Sequence, residues 1–210
     1  MRIELKNIGK RFHKKWLFRN VNEVFHSNEV IGIIGNNGSG KSTFTQIIAG
    51  FLTPSEGEII WNRQGNIEVE SIWKEVAWCS PLLELPGALS VKQVMSLQFQ
   101  MKAAHLTEFQ PLLEELHLSA HQDKKLDDLS SGMLQRLKLL LAFNTKSSIL
   151  VLDEPASHLD STWQHWLDEK IASHSEDRLI VIASNQHPVE LKRCHRYIDF
   201  NRDDLPSKGH

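Results

Sequence analysis

The chain has 210 residues, of which 40% are hydrophobic and 24% charged, with 24 lysines and arginines against 26 aspartates and glutamates. This composition excludes a disordered chain, a collagen-like repeat and a small disulfide scaffold, and a formal net charge of -2 excludes a polycation that wraps a nucleic-acid backbone non-specifically. Cys79 and Cys194 stand far apart and outside any CxxC spacing, which points to free thiols in a reducing compartment rather than a disulfide or metal framework.

The N-terminal stretch is polar and alternating, unlike a signal or transit peptide. Residues 2–5 and 21–25 alternate as strands do, and 29–34 is a short apolar run that stops at Gly35. Helical spacing follows over 43–52, where Phe44, Ile47, Ile48 and Phe51 recur, with Pro54 and Gly57 closing the element. Residues 59–61 and 77–79 read as further strands. Ser90 precedes a helical pattern through Met101, and Thr107 with Gln110 has the spacing of a capping box for a second helix bearing Leu112, Leu113 and Leu116. Ser130 is a suitable N-cap for a helix reaching about Phe143, after which 148–152 and 179–183 are buried strands. Apolar runs such as 139–143 and 149–152 fall far short of the roughly 20 residues of a bilayer span. Strands alternating with helices imply an α/β fold with a mostly parallel sheet covered on both faces. No repeat or low-complexity linker divides the chain, so 1–210 reads as one domain: a core of about 1–85 and 139–210, and a helical subdomain of about 86–138.

Between the third strand and the first helix lies Gly35-Asn36-Asn37-Gly38-Ser39-Gly40-Lys41-Ser42-Thr43, a GxxxxGK[ST] loop in the strand-to-helix context that this motif requires. Glycines let such a loop turn its N–H groups inward, the helix N-terminus adds its dipole, and Lys41 supplies a point charge for the outer phosphates. Ser42 is the expected Mg²⁺ hydroxyl. Downstream, Asp153 and Glu154 end the apolar run Ile149-Leu150-Val151-Leu152, at the strand edge where open α/β sheets bind ligands. In a phosphate-loop protein the first acid holds the Mg²⁺ shell and the second orients and deprotonates a water for attack on the γ-phosphate. The plain alternative for two such acids alone is a solvated pair.

With Leu129-Ser130-Ser131-Gly132-Met133 before that strand and Ser157-His158-Leu159-Asp160 after it, nearly the whole chain resembles the ATP-binding subunits of ATP-binding-cassette (ABC) transporters. The resemblance implies a P-loop NTPase core with an N-terminal antiparallel β part. It makes Asp153 the Mg²⁺ acid, Glu154 the catalytic base and Asp160 the D-loop acid, and gives Ser130 and Gly132 the phosphate-contacting part of the signature. It also puts Phe12 in the place of the aromatic that stacks on adenine, against the alternative of a strand-end core residue. A signature helix over 131–143 is roughly 20 Å long at 1.5 Å per residue, so Ser130 stands far from its own phosphate loop. The expectation is a head-to-tail dimer, read as a homodimer, closing over two Mg-ATP. A membrane-spanning permease is the expected partner, docking near 78–105, and nucleic acid is not. The chain would lie at the inner face of the cell membrane through that permease.

Three positions depart from the family pattern. Ser131 and Met133 replace glycine and glutamine in the signature; Ser80 or Pro81 stands where the Q-loop glutamine belongs; and Asn185 takes the place of the switch histidine. Asn185 is the expected γ-phosphate contact, with His187 as either its substitute or a surface-turn histidine. The leading function is ATP hydrolysis coupled to transport; the alternative is a slow or non-hydrolysing ATP-gated clamp. His117 and His121 at i, i+4 read as a solvated helix face, Trp163, Trp166 and Leu167 as core, and Arg11, Lys14, Lys15 and Arg19 as a solvated edge.

Overall fold

A computed structural model describes residues 1–201; the last part of the expected core segment, 202–210, lies outside the described residues. Strands β1 (Arg2–Phe12) and β2 (Lys15–His26) form an antiparallel hairpin, longer than alternation alone indicates. The pattern slips at Asn7 and Asn20, whose φ values are 52° and 56°, and the register shifts there let Ile8 rejoin Ile3 and Leu5 on the buried face. β4 (Glu56–Asn62) and β5 (Asn66–Ile67) complete this sheet, in the order β2-β1-β4-β5.

The second sheet is parallel and runs β6-β7-β8-β3-β9, formed by β3 (Val30–Ile34), β6 (Val76–Cys79), β7 (Ile149–Asp153), β8 (Leu179–Ser184) and β9 (Arg196–Asp199). Both faces are covered. Ile149, Val151, Leu179 and Val181 pack toward the antiparallel sheet and α1 (Lys41–Ile48), while Leu150, Leu152, Ile180 and Ile182 pack toward α5 (Ser131–Asn144) and α6 (Ser161–His174). Successive side chains of a strand point to opposite faces, so continuous apolar runs were needed here.

Helix α1 starts and stops earlier than its apolar spacing suggests. Gly40 sits at φ 107° as N-cap, and a Cβ there would lie 2.8 Å from Leu17 Cγ. At the other end Gly50 takes φ 75°, and the Phe51 and Gly50 N–H groups donate back to Gln46 and Ile47, so glycine ends the helix before Pro54 is reached. A short α2 (Val69–Ile72) precedes β6. Helices α3 (Val91–Met101) and α4 (Phe109–Glu115) build a separate apolar cluster with Leu137, Leu140 and Leu141 of α5. The capping box belongs to α3, not α4: the Ser90 hydroxyl accepts from the Gln93 N–H at 3.3 Å and Gln93 Oε1 accepts from the Ser90 N–H at 2.8 Å. α4 begins beyond Thr107, with Glu108 at its cap and no side-chain bond. It also ends before His117, so His117 and His121 share no helix face; the His117 ring packs against Trp163, and among the described residues no group of three metal-ligating side chains forms. Leu167 is buried, while Trp163 and Trp166 are half-buried against both neighbouring clusters. The basic edge is partly organised: the Arg11 and Arg19 guanidiniums face the Trp16 ring, and Arg19 forks onto Glu56 with two 2.7 Å contacts.

Near the far end of α5 the buried Arg178 guanidinium donates to the Phe143 and Thr145 carbonyls, and its neighbour His174 packs 5.2 Å from the Phe143 ring. Burial pushes His174 down to about 4; its bond to the Lys170 carbonyl opposes this, and the charges of Arg178, Lys170 and His105 add to it. An unfolded histidine takes up its proton near pH 6.5, so between roughly pH 6.5 and 4 the unfolded chain binds a proton that the folded one refuses, and stability falls as pH falls. Thermal melts should show a penalty of about 1–2 kcal/mol at pH 5 relative to pH 7.5, absent in His174→Phe. An equal pH dependence in the variant would remove His174 as the source.

Candidate functional site

The site hangs from the carboxyl ends of four adjacent parallel strands. Ile34 pairs with Ser184, Asp153 with Ala183, and Cys79 with Leu152, so Gly35, Asn185, Glu154 and Ser80 each follow at the same sheet edge. This is where an open parallel sheet places a ligand.

Lys41 is 5% exposed, and its ammonium donates to the Gly35 carbonyl at 2.7 Å, the Asn36 carbonyl at 3.1 Å and Asn185 Oδ1 at 2.5 Å. Burial lowers its pKa, while the charges of Glu154, Asp153 and Glu190 pull it back up. The Asn185 amide faces both ways: its oxygen accepts from Lys41 and its Nδ2 donates to Glu154 Oε1 at 2.5 Å. Only one orientation of the amide satisfies an ammonium on one side and a carboxylate on the other.

Glu154 adopts a left-handed backbone at φ 47°, held by its N–H bond to the Ala183 carbonyl at 2.9 Å. Such backbone costs of order 1 kcal/mol or more in a non-glycine residue. His158 and Gln186 in the neighbouring loops also have positive φ. Glu154 lines a cleft of about 440 Å³ together with Phe12, Leu17 and the phosphate loop from Asn37 to Thr43. Phe12 is half exposed, with the Lys10 ammonium 5.3 Å from its ring centre, so it is an open cleft wall and not a core side chain. Gly35, Asn36 and Asn37 line the adjoining pocket with Asn185 and Gln186.

Asp153 is 2% exposed; Oδ2 accepts from the Ser80 hydroxyl at 3.2 Å, and the Ser42 hydroxyl is near enough to favour the charged carboxylate as Ser80 does. Burial raises its pKa against those hydrogen bonds. Its Oδ1 is buried without a protein partner, and so is the Ser39 hydroxyl in the phosphate loop. Buried polar atoms left alone cost free energy, and an unpaired carboxylate oxygen beside a serine hydroxyl is the donor set a hard divalent cation takes. Ser42 and Asp153 therefore fit Mg²⁺.

Other expected residues stand outside this cleft. Ser130 caps α5 by accepting from the Met133 N–H at 3.3 Å, and Asp160 caps α6 by accepting from the Trp163 N–H at 3.1 Å. A Cβ on Gly132 would lie 3.0 Å from the His158 carbonyl, so the start of α5 sits directly against the loop after Asp153.

Two site residues escaped the sequence reading. Gln135 is buried and donates to the Pro155 carbonyl at 3.0 Å; its spacing from Ser131 and Lys138 puts a polar stripe on α5, but that stripe does not announce the bond. Glu190, also buried, accepts from the Ala156 N–H at 2.9 Å and from the Ser184 hydroxyl, tying the loop of Glu154 to the loop of Asn185. Burial raises its pKa. Nothing in the sequence around Pro188 announces that brace. The His187 N–H donates to Ser184 Oγ at 3.0 Å and its Nδ1 is buried without a partner, while Asn185, not His187, reaches Lys41 and Glu154.

The sequence model of the ABC transporter family matches residues 18–157. ABC transporter I family member 1 of Arabidopsis thaliana is 30% identical over 194 residues, covering 91% of this chain and 84% of that protein. The zinc import ATP-binding protein ZnuC of Haemophilus influenzae is 32% identical over 189 residues, covering 90% of this chain and 67% of its own length. A dimeric ATP-binding cassette in a post-hydrolysis state bound to ADP and Pi shares the fold at a TM-score of 0.80 and 21% identity, over 94% of this chain and 93% of that one.

Proposed function

The chain belongs to the ABC transporter family, and from that premise we propose that it is the ATP-hydrolysing subunit that closes head to tail on a second copy and drives a separate membrane-spanning permease. The observation that carries this reading is the continuous contact from Lys41 through Asn185 to Glu154 along the cleft of the phosphate loop.

In this reading Phe12 stacks on adenine, the Gly35 to Thr43 loop surrounds the phosphates, and Lys41 exchanges its carbonyl partners for β- and γ-phosphate oxygens. Mg²⁺, held by Ser42 and Asp153, neutralises phosphate charge when bound. Glu154 accepts a proton from the attacking water as the water oxygen bonds to the γ-phosphorus. The bond to the bridging oxygen breaks, its electron pair stays on ADP, and Asn185 holds Glu154 in line. Ser130, Gly132 and Asp160 face the nucleotide of the partner copy: α5 extends roughly 21 Å at 1.5 Å per residue, and Ser130 is exposed at its outer end. The dimeric neighbour of the same fold supports that arrangement.

Among the described residues no helix is long and apolar enough to cross a membrane, and in this reading the membrane path belongs to the permease. Relatives such as the zinc import ATP-binding protein support that partnership, and through the permease the chain would lie at the inner membrane face. We assign the docking surface to the region where Leu82, Leu97 and Met101 are exposed, at the boundary of the core (about 1–85 and 139–210) with the helical subdomain (about 86–138).

A second reading, a slow clamp, is favoured by Asn185, which donates a hydrogen bond but cannot change charge, and by Ser80, whose hydroxyl is engaged on Asp153. Steady-state hydrolysis of Mg-ATP tests both. Wild type should turn over slowly, and Asn185→His should raise kcat by up to about 10²-fold with little change in ATP affinity, since the gain lies in the transition state. No hydrolysis in either protein would establish the clamp. No acceleration in the variant, with a large rate loss in His187→Ala, would move the switch to His187.

A further inference from the structure

A second cavity, of about 270 Å³, opens behind Glu154, between α5 and the ends of β6 and β7, and is lined by Pro81, Ser131, Lys138, Glu154, Ser157 and His158 among others. Ser131, Gln135 and Lys138 follow one another at i, i+4 and i+7 and so share the face of α5 that borders it. Lys138 is half-buried, and among the described residues its ammonium makes no hydrogen bond or ion pair. Its neighbours Leu137 and Leu139 are fully buried. A lysine at such a place normally swings its head to water or pairs it. Lys138 lines the cavity together with Pro81, which follows β6; burial pushes the Cys79 thiol at the end of that strand up to about 12, and the Lys138 charge acts on it in the opposite direction. The cavity thus offers one unpaired cation with serine hydroxyls and an imidazole, and Glu154 is the acid at its mouth.

We propose that this cavity is a holding site for the inorganic phosphate product, with Lys138 as its cation. The inference rests on the hydrolytic reading above. Glu154 borders both spaces, so phosphate cut from ATP in the first cleft is released at the mouth of the second. Lys41 remains with the ADP phosphates; Lys138 takes the freed one. The end of β6 presents Ser80, whose hydroxyl is already bonded to Asp153.

Equilibrium dialysis of labelled orthophosphate against the ADP-loaded full chain tests this without turnover. Wild type should bind phosphate, Lys138→Met should bind it at least tenfold more weakly, and Lys138→Arg should stay within about threefold of wild type, while ADP affinity is the same in all three. Equal phosphate binding in Lys138→Met and wild type, or none in wild type, overturns the proposal. ADP binding is read from the same samples: its presence with no Lys138-dependent phosphate defeats only the holding site, whereas its absence defeats the nucleotide reading itself.

Discussion

Lys41→Ala should weaken ATP binding by about 10²-fold or more and lower kcat by a further 10²–10³-fold, the scale of losing a buried charge-assisted contact and a transition-state electrostatic donor. The effect has two sources. The ammonium that now bonds three oxygens is lost from the phosphate loop, and the negative charges of Asp153, Glu154 and Glu190, which all act on Lys41, are left to repel the triphosphate. Lys41→Arg should not rescue, because the larger planar guanidinium cannot enter the space between the Gly35 and Asn36 carbonyls. Calorimetric titration with ATP gives the binding loss directly, and unchanged affinity in Lys41→Ala would remove the phosphate loop from the site.

Glu154→Gln should separate binding from chemistry. Glutamine keeps the shape of the side chain, and its oxygen still accepts from Asn185 Nδ2 as Glu154 Oε1 does, but it cannot take a proton. Turnover should fall by about 10²–10⁴-fold, the contribution of a positioned general base, with ATP affinity within a few-fold of wild type. ATP then stays uncleaved, and the closed dimer that holds it should accumulate: light scattering with Mg-ATP should report twice the monomer mass for the variant. A Glu154→Gln protein that stays monomeric at saturating ATP would overturn the head-to-tail assembly, and one that hydrolyses ATP at the wild-type rate would remove Glu154 as the base.

How far the sequence could be read follows from where each signal resides. Much of the local chemistry was legible: the phosphate loop, the acids at the end of β7 and the Ser130 cap all stand where their spacing put them, because each is set by residues within a turn of itself, whereas the Thr107–Gln110 spacing caps no helix and His117 and His121 share no helix face. The parallel sheet was legible from apolar runs that alternate between two covered faces. Long-range pairings were not. β9 is short and half-exposed, with Tyr197 open to solvent, and carries no apolar run. The full lengths of β1 and β2 were hidden by asparagine bulges that break their alternation. Within the site, Ser80 on Asp153 and Glu190 on Ala156 join residues 73 and 34 positions apart; such contacts come from packing, and no spacing rule encodes them. The Asn185 bridge falls between these cases: its position could be counted from β8, while its two-sided hydrogen bonding is visible only in three dimensions.

The bond from Gln135 to the Pro155 carbonyl gives α5 the mechanics of a pivoted rod. Ser130 lies five residues to one side of that fulcrum and Asn144 nine to the other, or roughly 7 and 13 Å along the axis at 1.5 Å per residue. Any rocking about the pin therefore moves the outer, Ser130 end about half as far as the inner end, and in the opposite sense. The fulcrum itself sits on the residue next to Glu154. In the proposed function, a push delivered to the helical region would become a smaller, reversed stroke at the surface proposed to face a second copy, while the Glu154 carboxylate would stay near the still point of the lever.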